Sequence, residues 1–143
     1  MYFYTFNIQN MSEENHRNSN LLNIRPDIPA ALVNENTSPE ERFQNLTLRP
    51  IIKFQHPLLV AIFRQYIIRT KTKFSEFSDH QHVVFIERTF QKDTSFKNEL
   101  KGIIIGQMTV EEYQIYTQNT ATFNKRITGM LAQRMKDSIA ELL

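Results

Sequence analysis

The sequence predicts an all-α fold, a small helical bundle of about five helices with a long C-terminal helix, after a disordered N-terminal tail. Three observations carry this expectation. Ser38, Ser78 and Thr109 each stand three residues before a Glu or Gln, the spacing of a capping box that opens a helix. Only 3 glycines occur in the chain, so there are few points at which a helix is easily broken. No run alternates apolar and polar residues as a half-buried strand does.

The first zone is the tail, residues 1–37. Met11-Ser12-Glu13-Glu14 reads as an ordinary protein start, so residues 1–10 look foreign to the native chain. From Ser12 to Thr37 the chain is rich in Asn, Ser and Glu, with Pro26 and Pro29 and no sustained period. Such a segment buries too little apolar surface to offset the entropy of ordering it. Leu21, Leu22 and Ile24 are the residues able to dock it on the rest.

The second zone, residues 38–143, has the apolar content of a normal core. Ser38-Pro39-Glu40-Glu41 places a cap, a proline at the first helical position and two acids at the positive end of the dipole. This helix should run toward Leu48 and kink or end at Pro50. His56-Pro57 reopens the pattern, with Leu58, Leu59, Ile62, Phe63, Tyr66 and Ile67 on one broad face and Val60, Ala61 and Ile68 elsewhere. A helix apolar on most sides belongs at the centre of a bundle.

Ser78 opens a third helix with Val83, Val84, Ile86 and Phe90 on its core face, and Asp93 or Thr94 opens a fourth with Phe96, Leu100, Ile103 and Ile104. Gly106 should end that helix, with Gly102 in a tight helix contact. From Thr109 no proline follows, and Tyr113, Tyr116, Thr120, Phe123, Ile127, Met130, Arg134 or Met135, and Leu142 keep an approximate three-four spacing. That predicts one helix of roughly thirty residues, about 45 Å long. A helix of that length overhangs so small a domain, which points to a homodimer seam through Phe123, Ile127 and Met130.

Several chemistries are excluded or left without support. The chain has no cysteine, hence no disulfide or thiolate site, which fits a reducing cytoplasm. No secretory signal is visible, and the apolar run Pro57–Ile68 is too short to cross a membrane, which takes ~20 residues. No glycine-rich phosphate loop and no nucleophile elbow occurs, so no catalytic or cofactor-binding residue is assigned. Asp79-His80-Gln81-His82 offers His80 and His82 as the only candidate metal ligands. Positions two apart on a helix diverge, so both read as surface residues of a first helical turn. The paired acids Glu40-Glu41 and Glu111-Glu112 sit where helix dipoles favour them.

Basic residues gather at Arg64, Arg69, Lys71 and Lys73 and again at Lys125 and Arg126, a possible interaction surface for phosphate or an acidic partner. The net charge of +2 is far from that of a dedicated nucleic-acid binder, which leaves weak nucleic-acid binding as a minor alternative.

Arg42-Phe43-Gln44-Asn45, Thr47-Leu48-Arg49-Pro50, Gln91-Lys92-Asp93 and the block Leu100–Gln107 stand out as segments, followed by Thr109, Glu111-Glu112-Tyr113 and Asn124-Lys125-Arg126. In these segments the stretch from Glu41 to Leu143 resembles a family of short bacterial helical proteins often labelled glyoxalase. The resemblance implies a discrete helical bacterial family, and its label implies an enzyme, or an associated protein, for small aldehyde adducts. The resemblance transfers no catalytic residue. Glyoxalase I type enzymes hold their metal on paired βαβββ modules and glyoxalase II type enzymes on a THxHxDH cluster, and neither pattern is present here. The reading that remains is a non-enzymatic helical interaction module for an unknown protein partner.

Overall fold

The computed structural model describes residues 2–28 and 33–143, with side chains described from Glu13 onward. Among the described residues every regular element is helical. Helix α1 spans Tyr2–Ile24, α2 Pro39–Phe43, α3 Arg49–Arg69, α4 Asp79–Lys92, α5 Thr94–Ile105, α6 Val110–Gln118, α7 Thr120–Asp137 and α8 Ile139–Leu142. The core is the meeting place of α3, α4, α5 and α7, with α6 on α7 and α8 folded back on α3.

The helix starts follow from local chemistry. Ser38 accepts the Glu41 amide, Ser78 the Gln81 amide and Thr109 the Glu112 amide. The reciprocal bond that completes a capping box forms at Ser78 and Thr109. Asp93 caps α5 through Oδ1 on the Phe96 amide at 3.0 Å. Gly106 follows α5 as expected, yet with helical φ −61° and not in the left-handed form. Gly102 makes no tight helix contact, since a Cβ there would meet nothing within 4 Å.

Pro50 does not end the first helix of the domain. Between α2 and α3 the backbone widens into a π-helical turn, Gln44–Leu48, in which the Arg49 amide bonds the Gln44 carbonyl. A proline ring clashes with the carbonyl four residues before it, and the wider turn relieves that clash. Residues 39–69 therefore form one continuous helical path, and Pro57 lies inside α3 without interrupting it.

The single long C-terminal helix is also corrected: it breaks twice. Asn119 (φ −150°, ψ 58°) separates α6 from α7, and Ser138 (φ −115°, ψ 20°) separates α7 from α8. The run Thr117-Gln118-Asn119-Thr120 is poor in helix formers and rich in side chains that bond their own backbone, which lowers the cost of a break. The breaks fold Tyr116, Phe123 and Leu142 into one core. Phe123 and Ile127, expected in a dimer seam, are buried inside the chain, and Met130 packs half-buried against them.

The tail region differs from its expectation too. It carries α1, and the described part of that helix is tied to the domain by Arg17, Asn18 and the following Arg25. Leu22 and Ile24 are exposed and Leu21 is half-buried, so polar groups make the attachment.

Phe63 on α3 is fully buried, with ring centroids of Tyr66, Phe85, Phe90 and Phe96 between 5.8 and 6.1 Å from its own. Removing it leaves a cavity between three helices, and Phe63→Ala should cost about 3–5 kcal/mol in denaturant unfolding. The end of α3 carries an opposite opportunity. Thr72 N–H bonds the Ile67 carbonyl and Lys71 N–H the Ile68 carbonyl, a Schellman ending with Lys71 at φ 54°. Glycine takes that conformation without a Cβ penalty, so Lys71→Gly should stabilise the domain by about 1 kcal/mol in the same assay.

Candidate interaction surface

The structure brings the sequence candidates together unevenly. His80 is exposed at the start of α4, whereas His82 is buried at 5% exposure, which corrects its reading as a surface residue. His82 Nε2 donates to the Phe74 carbonyl at 2.7 Å and the ring lies 4.3 Å from that of Phe74. The bond ties α4 to the turn before it. Among the described residues no three His, Cys, Asp or Glu side chains stand close enough to share a metal.

Arg64, Arg69, Lys71 and Lys73 are all exposed along the second half of α3 and just beyond it. The guanidinium of Arg69 lies 5.5 Å from the Tyr66 ring centre, which holds it against the surface. Lys125 is exposed on α7, but Arg126 turns inward and donates to Gln44 Oε1 at 2.7 Å. The second basic cluster is therefore divided between a free lysine and an arginine that fastens α7 to the π-helical turn.

Helix α3, expected at the centre of the bundle because it is apolar on most sides, is buried on one face only. Its inner face (Ile51, Ile52, Leu59, Val60, Phe63, Tyr66, Ile67) fills the core. Its outer face presents Phe54 at 40%, Leu58 at 47% and Ile68 at 67% exposure, with Ala61 and Gln65 exposed between them. Successive steps of four, three, four and three residues keep these side chains in one line, the repeat of a coiled-coil seam.

The strongest polar constellation lies elsewhere. Glu112, in the first turn of α6, receives two bonds of 2.6 Å from Arg25, one of 2.8 Å from the Thr109 amide and one of 2.9 Å from Thr47 Oγ1. Burial by itself raises the Glu112 pKa, but the bonds from Arg25, Thr109 and Thr47 and the Arg25 charge outweigh it and hold the carboxyl below its usual value. Arg25 also reaches the Gln107 carbonyl, Arg17 the Met108 and Gly106 carbonyls, and Asn18 both Glu111 and the Val110 amide. These contacts clasp the α5–α6 corner.

A shallow cleft of about 600 Å³ is lined along α1 by Glu13, His16, Arg17, Asn20, Leu21 and Ile24, and two more lie on the domain. One, about 360 Å³, is lined by Arg49, Lys53, Met130, Arg134 and Asp137, with Arg134 bonded to His56 and His56 to Glu141. The other, about 400 Å³, lies beside Tyr66 and Asp93. Tyr66 Oη donates to Asp93 Oδ2 at 2.8 Å. Burial, then Asp93, raises the Tyr66 pKa, and the Phe96 amide, then Tyr66, lowers that of Asp93. Both shifts stabilise a neutral phenol beside a carboxylate that caps α5.

No protein-family model, curated protein or solved structure matches the chain.

The clasp has a definite pH dependence. Because the folded Glu112 pKa is depressed, its contribution is complete above the ordinary glutamate value and is lost as pH falls through the depressed one. Backbone amides of residues 13–25 should be protected from hydrogen exchange at neutral pH and lose that protection on acidification below about 4. Glu112→Gln should show the released level already at pH 7, and unchanged protection in that variant would mean that Glu112 does not hold the clasp.

Proposed function

We propose that this chain is a non-enzymatic helical interaction module that binds a protein partner through the exposed face of α3. The observation that supports the reading is the line Phe54, Leu58, Ala61, Gln65 and Ile68, an apolar seam on a helix whose opposite face is locked in the core. Apolar side chains in a continuous row on a rigid element form a docking surface, whereas scattered ones carry no such meaning. The polar groups of the α5–α6 corner support the same reading, since they are bonded to one another and leave no reactive pair facing solvent.

The partner surface is placed on α3 because the seam first expected on the C-terminal helix closes inside the chain. Light scattering should accordingly give the mass of one chain at high concentration. Co-purification from native cells tests the surface. A partner retained by the wild type should be lost with Leu58→Ser/Ile68→Ser, which alters only exposed side chains and should leave the unfolding midpoint within about 0.5 kcal/mol of wild type. Equal recovery with both proteins would remove α3 as the docking surface.

A further inference from the structure

The chemistry around the seam specifies its occupant more closely, an inference that rests on the module reading above. At 100° per residue Phe54, Leu58, Ala61, Gln65 and Ile68 fall within an arc of about 80° and extend about 21 Å along α3. Arg64 borders the line on one side and Arg69 on the other. From Arg49 to Lys73 the chain carries six cations and no acid: Arg49, Lys53, Arg64, Arg69, Lys71 and Lys73. In a coiled coil the residues beside the seam choose the partner by charge, and a like-charged partner is rejected.

We infer that the exposed face of α3 binds an acidic amphipathic helix, its apolar heptad positions on the Phe54–Ile68 seam and its flanking Glu or Asp against Arg64 and Arg69. Each feature of the surface selects against another occupant. A second copy of this chain would set α3 cations against α3 cations with no acid in residues 49–73 to offset them, while Asp93 at the α4–α5 junction stands within electrostatic reach of Arg69. A membrane surface wants a wide apolar face with large side chains, whereas this line is one residue wide and holds Ala61 at its centre and Gln65 beyond it. A small residue at the midpoint lets a second helix approach closely. Gln65 can hydrogen-bond a polar side chain of that helix and so set its register. Arg69 is already held against the Tyr66 ring, so less of its freedom is lost when it pairs with a carboxylate.

The test uses the full chain and three synthetic probes. One is a helical heptad peptide with Leu at its two seam positions and Glu beside them; the second replaces every Glu by Lys; the third is a vesicle of anionic phospholipid. The Glu peptide should bind with one-to-one stoichiometry, with an affinity that falls as salt is raised. The Lys peptide should bind at least about tenfold more weakly. Leu58→Ser/Ile68→Ser should abolish binding while the unfolding free energy stays within about 0.5 kcal/mol, and Arg64→Glu/Arg69→Glu should reverse the preference between the two peptides. Equal binding of both peptides, binding of neither, or seam-dependent binding to vesicles without peptide binding would each overturn the acidic-helix assignment. If the peptides fail while a co-purified protein is still lost with Leu58→Ser/Ile68→Ser, the module reading stands and only the partner's chemistry falls.

Discussion

The Glu112 carboxylate is the interaction on which the arrangement of the chain turns. One side chain completes the capping box of α6, receives Thr47 from the π-helical turn and binds both terminal nitrogens of Arg25. Three segments far apart in sequence thus meet on two oxygens. An unpaired carboxylate at that depth would be expensive, and the bonds from all three segments together make it favourable. The Arg25 Nε is buried beside it without a hydrogen-bond partner among the described residues.

The π-helical turn is the second element that shapes the fold. It absorbs Pro50, joins α2 to α3 and turns Gln44 and Thr47 outward to meet Arg126 and Glu112. A straight α-helix could not carry Pro50 at that place without losing its path. The widened turn keeps the path and supplies side chains that fasten it to α6 and α7. With its start held in this way and Phe63 anchored among four rings, α3 is fixed in rotation, and its outer face is presented as a rigid row.

The same division of labour runs through the rest of the molecule. Its charged pairs and buried polar groups are engaged in holding helices to one another: Asp93 with Tyr66, His82 with the Phe74 carbonyl, Arg126 with Gln44. Exposed apolar side chains stand on several helices, Val84, Tyr113 and Ile115 among them, and those of α3 form a row flanked by Arg64 and Arg69. A surface of that kind recognises by shape and charge, and rigidity lowers the entropy lost on docking.

The helix starts and the all-α class were legible in the sequence because capping is local: Ser38, Ser78, Asp93 and Thr109 each bond an amide three residues away. The buried face of α3 was legible for the same reason, through the spacing of Leu59, Phe63, Tyr66 and Ile67. Its exposed face was not. Periodicity shows that a helix is apolar on most sides, but only the packing of its neighbours decides which side stays uncovered. The fate of the C-terminal stretch was likewise beyond local pattern, since the low helix propensity around Asn119 permits a break and the gain from burying Tyr116, Phe123 and Leu142 together brings it about. The clasp by Arg17, Asn18 and Arg25 had no signal in apolar spacing at all, because long-range hydrogen bonds leave no period in the chain. By itself the sequence determined where the helices with a capping side chain begin and much of what fills the core, since short-range bonds and apolar spacing decide both. Tertiary structure alone decided how the helices join, what holds the N-terminal segment and which surface of α3 stays uncovered, since those depend on contacts between residues distant in the chain.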